Sequence, residues 1–476
     1  MSDQNRKQVS ELLDGFRKGS ISRRELFVKG SALGVGAYFL NRLSVDQAFA
    51  QDATPEAVAA GSTLVAPAGF DQSMAGQKIN VILGDEGSGA PWEKAACALF
   101  QTTTGIETTR VPGETSTTDK LAKLLLAFNA QSSDVDCVSI DVIWPGIVAP
   151  HALDLTDTFK DTISEYFQAI VENNTVDSVL VGIPWYTDAG LLYKRDDLLE
   201  KYSQTAPATW ADLETAAKAI QDGERAAGST SFVGFVWQGN AYEGLTCNAL
   251  EWQVSNGGGN IIESDGTVSV NNPQAIAAFQ RAAGWVKGIS PEGVTTYQEQ
   301  ESLDVWQGGN AAFMRNWPYA YANGQSEGSV IKDKFSVGVI PKGDGENARN
   351  ASTLGGWQLM ASKYSKAPDA AKAFCKFMAS AEVQKSASLE LSHLPTIASI
   401  YDDADVLAKN PFYADLKPVF QGGAVPRPST VSSSSYNDVS TAYFTAVHNI
   451  LTGSDATAEV TKLEGQLKDI MAELNS

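Results

Sequence analysis

Short, almost continuously apolar runs alternate with helix-forming stretches from residue 78 onward, and this alternation constrains the fold more than any other feature. The apolar run at residues 78–84 ends at a glycine and predicts a strand, as does the run at residues 135–143. Between them, residues 91–103 and 121–128 predict helices. Apolar strands separated by helices are typical of a parallel sheet that helices cover on both faces. The sequence therefore predicts an α/β fold.

Helix signals continue through the rest of the chain. Thr209 and Asp212 have the spacing of a capping box and predict a helix to about Ile220. Asn272–Pro273 places an N-cap residue before a proline at the first helical position. A final apolar stripe predicts a C-terminal helix that packs on the body: Val460, Leu463, Leu467, Ile470, Met471 and Leu474. Because roughly 400 residues exceed what one hydrophobic core usually supports, we expect two lobes.

The first fifty residues have the order of an export signal. Arg23 and Arg24 precede an apolar run at residues 30–40, and an Ala-x-Ala site ends at Ala50. The run is shorter than the ~20 residues of a membrane span, so it predicts the core of a signal peptide. The paired arginines resemble a twin-arginine signal. An amphipathic helix kept in the mature protein is the alternative. Residues 51–77, rich in Ala, Gly, Ser and Pro, predict a flexible leader.

The charge of the chain limits its partners. The 476 residues have a formal net charge of −20. Residues 1–50 contain eight basic and five acidic side chains, so their removal takes the charge to −23. A protein this acidic repels nucleic acids and anionic membrane surfaces. We therefore expect neither nucleic acid nor membrane as a partner.

Motifs for metal sites and catalysis are missing from the sequence. No cysteine lies in a C-x-x-C pair, and the three histidines (His151, His393 and His448) are far apart. No nucleophile elbow, P-loop or H-E-x-x-H motif occurs. We expect no cofactor, metal or catalytic residues. Cys97 and Cys137 could form a disulfide after export; four free buried thiols are the alternative.

Ten tryptophans are the most unusual compositional feature, and several neighbour Pro, Gly, Asp or Tyr. Such aromatic residues tend to lie in loops, where binding residues concentrate. Indole rings can cover the apolar faces of a sugar, while carboxylates and arginine bind its hydroxyl rim. A carbohydrate site is one interpretation, and tryptophans that anchor the core are the other. A glycoside hydrolase that uses Asp141 and Asp188 also remains open.

Six stretches, in order along the chain, resemble the trehalose/maltose-binding branch of the sugar-binding proteins of ABC importers (extracellular solute-binding protein family 1). They are residues 139–151 (SIDVIWPGIVAPH), 182–193 (GIPWYTDAGLLY), 237–245 (WQGNAYEGL), 313–320 (FMRNWPYA), 352–357 (STLGGW) and 425–428 (VPRP). The resemblance covers roughly residues 78–476. It implies a type II periplasmic-binding-protein fold, in which two lobes, each a mainly parallel sheet flanked by helices, close on a ligand by a hinge motion.

The resemblance also implies a set of ligand-binding residues. They are Asp141, Tyr186, Asp188, Trp317, Tyr319, Gly356, Trp357 and Arg427. Some of them have structural alternatives. Asp141 could cap a helix or pair with a lysine, the two tryptophans could pack the lobes, and Arg427 could form a salt bridge between lobes. Tyr186 and Asp188 could act at the hinge. Glu243 lies in a matching stretch, and we interpret it as structural.

Two positions in the first lobe depart from the family pattern. Relatives have a glutamate just before the first helix; here Glu86 or Glu93 would replace it only with a register shift. A basic residue that helps bind ligand in relatives corresponds to Leu121 or, one place earlier, Lys120. Both departures put the identity of a disaccharide ligand in doubt.

The sequence thus predicts an exported, monomeric binding protein that captures a neutral disaccharide or related carbohydrate and delivers it to the permease subunits of an ABC importer. A secreted glycoside hydrolase, a binder of a non-disaccharide solute and a chemoreceptor-linked binding protein are the alternatives. The expected segments are a signal peptide (1–50), a leader (51–77), the first lobe (78–186 and 338–380) and the second lobe (187–337 and 381–476).

Overall fold

A computed structural model of the chain describes residues 62–84, 89–416 and 424–474. The predicted signal peptide, its cleavage site and the position of Glu86 lie outside the described residues. Within the described part, no helix combines the length and apolar character needed to cross a membrane.

The described residues form two sheets, each at the centre of one lobe. The larger sheet, in the first lobe, contains β1 (Lys78–Ile82), β2 (Glu107–Val111), β3 (Cys137–Asp141), β6 (Ile183–Ala189), β11 (Ser352–Ala361), β12 (Leu394–Pro395) and β13 (Ala424–Val425). The smaller sheet, in the second lobe, contains β7 (Leu191–Arg195), β8 (Val233–Val236), β9 (Ala311–Asn316) and β10 (Phe335–Gly338). A separate hairpin contains β4 (Thr175–Val176) and β5 (Val179–Leu180).

Helices surround both sheets. In the first half of the chain they are α1 (Gly89–Thr104), α2 (Thr117–Asn129), α3 (Pro145–Val148), α4 (Thr156–Phe159), α5 (Gln168–Asn173), α6 (Asp196–Lys201), α7 (Trp210–Ala226) and α8 (Glu243–Ser255). The later helices are α9 (Pro273–Trp285), α10 (Glu299–Gln307), α11 (Tyr319–Gly324), α12 (Pro368–Met378), α13 (Ala381–Leu391), α14 (Ala404–Lys409), α15 (Ser429–Ser432), α16 (Tyr436–Leu451) and α17 (Ala456–Leu474).

Local sequence signals explain several helix starts. The Thr209 hydroxyl accepts a hydrogen bond from the Asp212 N–H, and the Asp212 carboxylate accepts one from the Thr209 N–H, so the predicted capping box is confirmed. Asn272 caps α9 through a single hydrogen bond, in which its side-chain oxygen accepts from the Ala275 N–H. Along α17, Val460, Leu463 and Leu467 are fully buried, which confirms the predicted apolar stripe.

The two-lobed α/β fold is confirmed, but the expectation of mainly parallel sheets is wrong. Strands β1, β2 and β3 run parallel to one another, whereas β11 is antiparallel to both β3 and β6. In the smaller sheet, β7 is antiparallel to β9 and β10, and β8 is parallel to β9. The sheets are mixed because strands that pass from one lobe to the other enter a sheet in the opposite direction.

The chain crosses between the sheets where β6 ends and β7 begins, with Gly190 between them. The Gly190 N–H donates to the carbonyl of Thr353 on β11, so two crossing segments are in contact. A Cβ at Gly190 would lie 1.8 Å from Glu251 Oε1 and 2.5 Å from an Arg315 nitrogen. Only glycine therefore lets this segment pass the buried side chains behind it.

Residues 381–395, which the sequence predicted to lie in the second lobe, pack in the first lobe instead. Strand β12 pairs with β6 of the larger sheet. On α13, the Ser386 hydroxyl accepts a hydrogen bond from the indole N–H of Trp92 on α1. The pairing of β12 completes the edge of the larger sheet beside β6. Helices α16 and α17, by contrast, pack on α8 and α9 of the second lobe.

The described part of the expected leader is also packed against the first lobe. Both the N–H and the hydroxyl of Thr63 donate to the Glu390 carboxylate. Leu64 is buried, and the Phe70 ring packs edge-on against Phe377 at 5.3 Å between centroids. Residues 62–77 therefore form part of the first lobe, because apolar side chains among them pack against its surface.

Candidate functional site

A small cavity lies between the two lobes, and side chains of both lobes line it. Its volume is ≈ 30 Å³, about the space of one water molecule. The lining residues are Thr117, Asp141, Asp188, Glu243, Gly244, Cys247, Glu299, Trp317, Gly355, Gly356, Trp357 and Arg427. The two lobes are thus closed on each other.

Six of the eight residues predicted for the site line this cavity, and two do not. Tyr186 and Tyr319 are both buried and absent from the lining. Tyr186 stacks on His393 with 4.0 Å between ring centroids. Tyr319 begins α11, just after the cavity-lining Trp317.

The register of the larger sheet brings the first-lobe residues together. On β11, Trp357 lies opposite Asp141 of β3 and Tyr186 of β6, and Gly355 lies opposite Asp188. Gly356 has a φ of +129°, and a Cβ there would lie 2.7 Å from the Tyr186 carbonyl oxygen. This glycine is required because its backbone is in a region that other residues rarely adopt.

The two cavity-lining tryptophans each have a buried cation against the ring. The Arg315 guanidinium lies 4.0 Å from the Trp317 ring centroid, and the Lys120 ammonium lies 4.2 Å from that of Trp357. The Trp317 indole N–H also donates to Glu299 Oε1 at 3.3 Å. Both rings are therefore oriented by charged neighbours.

Lys120 and Glu93, the positions of the two departures, are buried behind the cavity. The Lys120 ammonium donates to the Leu83 carbonyl at 3.0 Å and to the Ser139 hydroxyl at 2.7 Å. Glu93 accepts a hydrogen bond from the Gly84 N–H and forms an ion pair with Arg110 at 2.6 Å. Neither residue lines the cavity, so both support the first lobe from within.

Arg427 joins the two lobes. Its guanidinium donates to Asp141 Oδ1 of the first lobe and to Glu243 Oε1 of the second lobe, each at 2.8 Å. The hydroxyls of Tyr436 and Ser440 also donate to Glu243. Arg427 therefore forms the salt bridge between lobes that the sequence left open, and it lines the cavity as well.

Two features of this charged cluster bear on ligand binding. The Nε of Arg427 is buried and has no hydrogen-bond acceptor among the described residues. Burial raises the pKa of Glu243 above its ordinary value, although the charge of Arg427 opposes the shift. Burial likewise raises the pKa of Glu299. The buried cluster can therefore donate a hydrogen bond to a ligand from Arg427 and accept hydrogen bonds at the carboxyl groups of Glu243 and Glu299.

The sequence interpretation missed several lining residues. Gly244 and Gly355 lie inside stretches that carried the resemblance, so those stretches could have pointed to them. Glu299 is in the first turn of α10, and Thr117 begins α2. No local pattern links either residue to Trp317 or Asp141, because only the tertiary fold brings them together.

The described cysteines and acidic residues form no candidate metal site. All four cysteines are free and buried, so the disulfide between Cys97 and Cys137 is not formed. In the part of the chain that the structure covers, no group of three or more His, Cys, Asp or Glu residues could hold a metal ion.

Two α/β lobes with a cavity between them, lined from both sides by aromatic and charged side chains, define a two-lobed solute-binding protein. Comparison with known families agrees: residues 84–385 match the bacterial extracellular solute-binding proteins. The chain belongs to this family. It is the solute-binding component of an ABC transporter, an exported protein that binds its solute and does not transform it.

Individual relatives resemble the chain over most of its length. A probable ABC transporter-binding protein of Deinococcus radiodurans is 47% identical over 368 residues, which span 77% of this chain and 86% of that protein. The maltose-bound structure of T. maritima MalE3 is 36% identical, with a TM-score of 0.78, over 83% of this chain and 99% of that one. A ribitol complex from Agrobacterium radiobacter K84 is 21% identical, with a TM-score of 0.74, over 83% of this chain and 99% of that one. The last supports the fold alone.

Proposed function

We propose that the chain captures a neutral carbohydrate, a disaccharide or a related sugar, in the cleft between its lobes and delivers it to the permease subunits of an ABC importer. The observation that carries the proposal is that Trp317 and Trp357 face one cavity from opposite lobes together with several carboxylates. Indole rings cover the apolar C–H faces of a sugar ring, while carboxylates accept hydrogen bonds from its hydroxyls. MalE3, at 36% identity, is described with maltose bound, which supports this ligand class.

The charge of the lining favours a neutral ligand. Among the described residues, four carboxylates line the cavity (Asp141, Asp188, Glu243 and Glu299), together with one cationic side chain, Arg427. A phosphorylated or carboxylated sugar would meet this excess of negative charge at close range. A polyhydroxylated neutral molecule would instead donate hydrogen bonds to it.

The site residues have distinct proposed roles. Trp317 and Trp357 stack on sugar rings, and Asp141 and Asp188 accept hydroxyl hydrogen bonds. Arg427 donates from its Nε, which has no acceptor within the described part of the chain. Gly356 gives the ligand close access to β11, and Tyr186 and Tyr319 contribute once the cleft is open. Glu243 and Glu299 hold Arg427 and Trp317 in place.

Ligand entry requires the lobes to separate. The cavity of ≈ 30 Å³ is far below the roughly 300–1,000 Å³ of ligand pockets. Opening at the crossing segments beside Gly190 would separate Asp141 from the second lobe. Closing around the sugar would then re-form the walls of the cleft. The proposal includes export through a twin-arginine signal cleaved near Ala50 and action as a monomer.

A melting-temperature titration tests the proposal. Ligand that binds only the folded protein raises the melting temperature with concentration. The panel is maltose, trehalose, sucrose, longer glucans, monosaccharides and polyols. We expect a shift with a disaccharide or short glucan. A shift with polyols alone would replace the disaccharide assignment with a smaller solute, and no shift at millimolar concentration with any carbohydrate would refute it.

Tryptophan variants test the cleft itself. We expect Trp317→Ala and Trp357→Ala each to weaken binding at least tenfold, because each removes a stacking surface. Trp92→Phe is the matched control, since Trp92 is on α1 and bonds Ser386, outside the cavity. If either alanine variant binds as tightly as the control, the stacking role of that tryptophan is wrong.

A further inference from the structure

The sulfur atoms of Cys137 and Cys375 are in contact. Their Sγ atoms lie 3.3 Å apart, although 238 positions separate the two residues along the chain. Both side chains have no solvent exposure. Cys137 begins β3 at the centre of the larger sheet, and Cys375 is on α12, which packs on β3 and β11.

The sequence paired Cys137 with a different residue. Cys97, on α1, is buried in the same lobe, but no hydrogen bond or sulfur contact joins it to either residue of the pair. Cys247 lines the cleft. A disulfide holds its sulfurs at about 2.0 Å, so the Cys137 and Cys375 sulfurs need to approach by only about 1 Å.

We infer that Cys137 and Cys375 form a disulfide bond in the exported protein. Disulfides form and persist outside the cytoplasm, and the family of this chain is extracellular. The bond would link β3, the strand that ends at Asp141, to α12, which packs on that strand although it comes much later in the sequence.

The oxidant is a second molecule that carries a reactive disulfide, called the donor. The thiolate of one cysteine attacks the donor disulfide, which gives a mixed disulfide and releases one donor thiolate. The second cysteine thiolate then attacks the sulfur of the first cysteine and releases the other donor thiolate. The chain loses two S–H bonds and gains one S–S bond, while the donor takes up two electrons and two protons. Because both thiols are buried, the exchange takes place after export, when α12 opens locally from β3.

Alkylation under denaturing conditions tests the bond. The full chain is exported to an oxidising compartment and then unfolded in denaturant that contains N-ethylmaleimide and no reductant. The mass of the alkylated protein is then measured. We expect two adducts, on Cys97 and Cys247, and one peptide pair that links Cys137 to Cys375. Four adducts would overturn the inference, as would a linked pair that contains Cys97.

Single variants separate the bond from general effects of cysteine loss. Reductant should lower the melting temperature of the oxidised protein by several degrees, and Cys247→Ser should keep that drop. Cys375→Ser should melt at the same temperature with and without reductant; Cys375→Ala serves if the serine does not fold. A reductant effect that survives in the Cys375 variant would contradict the assignment. None of these measurements depends on sugar binding, so they stand or fall apart from the proposed function.

Discussion

Each lobe presents one tryptophan to the cleft, and the two rings are supported by buried cations that are held in different ways. Arg315, behind Trp317, forms an ion pair with Glu251 at 2.5 Å, and both side chains are almost completely buried. Lys120, behind Trp357, donates to the neutral oxygens of Leu83 and Ser139. The second-lobe ring thus rests on a buried ion pair, and the first-lobe ring on an ammonium that donates to a backbone carbonyl and to a hydroxyl.

The position of the ion pair adds to this difference. Glu251 Oε1 also accepts a hydrogen bond from the Thr353 N–H on β11. Arg315 donates to the Gln238 side chain as well, at 3.1 Å. The ion pair therefore connects the support of Trp317 to both crossing segments, one at Gly190 and one at Thr353. A disturbance here should affect stability, the hinge and the ring together, whereas one at Lys120 should remain in the first lobe.

The largest expected effect is the loss of one member of the buried ion pair. Glu251→Gln leaves the Arg315 charge buried without a full counter-charge, so we expect a loss of about 3–5 kcal/mol in the free energy of unfolding. Arg315→Met should cost a similar amount. The double variant Arg315→Met/Glu251→Leu should cost less than the two single losses added together, because it leaves no buried charge. Urea unfolding followed by circular dichroism measures all three.

The exposed pair Lys218–Asp222 on α7 provides the matched control. Its side chains are 68% and 56% exposed, so Asp222→Asn should cause no measurable loss of stability. Additive losses in the double variant at residues 251 and 315 would show that the two charges act independently. The two rings would then not differ in the way described above.

A smaller effect is expected at Lys120. Lys120→Met removes the cation from the Trp357 ring and leaves the Leu83 carbonyl and the Ser139 hydroxyl without this donor. We expect a loss of about 1–2 kcal/mol in the free energy of unfolding. Affinity for the sugar should also fall, because the Trp357 ring is less constrained. Urea unfolding and a fluorescence titration of the same sample measure both.

Lys123→Met is the matched control for this change. Lys123 is on the same helix, is 33% exposed and pairs with Glu114 at 3.3 Å. It should leave both the stability and the affinity close to those of the original protein. A loss at Lys120 as large as that at Glu251 would remove the distinction between the two supports.

The sequence predicted the elements of both lobes better than their arrangement. Local patterns identified β1, α1 and the capped start of α7, because apolar periodicity and N-caps act within a few residues. The direction of β11 and the pairing of β12 with β6 depend on contacts between residues far apart in the chain. No local pattern encodes such pairings.

The same limit applies to the candidate site. Asp141 was identifiable as the end of an apolar run, and Trp357 as part of a glycine-rich stretch. The cation behind Trp317 was not, since Arg315 carries no mark that separates it from an exposed basic residue. Lys120 was identifiable only as one of two possible matches to a basic residue of relatives. Cys375 was likewise not identifiable as the neighbour of Cys137, because 238 positions separate the two residues.

The last expected effect, no larger than that at Lys120, is a difference in acid sensitivity between the lobes. In the first lobe, burial lowers the pKa of His393, which stacks on Tyr186, to about 3 from 6.5. Arg315 in the second lobe stays charged at any pH of interest. Between pH 6.5 and about 3 the unfolded chain takes up a proton at His393 that the folded chain does not. Stability therefore falls as the pH is lowered through this range, by about 1–2 kcal/mol at pH 5.

The variant His393→Phe isolates this contribution, because phenylalanine keeps a ring against Tyr186 and does not titrate. Urea unfolding at pH 7 and pH 5 should show a smaller loss of stability in the variant than in the original protein. An identical loss in both would mean that groups other than His393 determine the acid response. The acid response would then not distinguish the first lobe from the second. The contrast between the lobes would rest only on Lys120 and Arg315, the cations behind the two tryptophan rings.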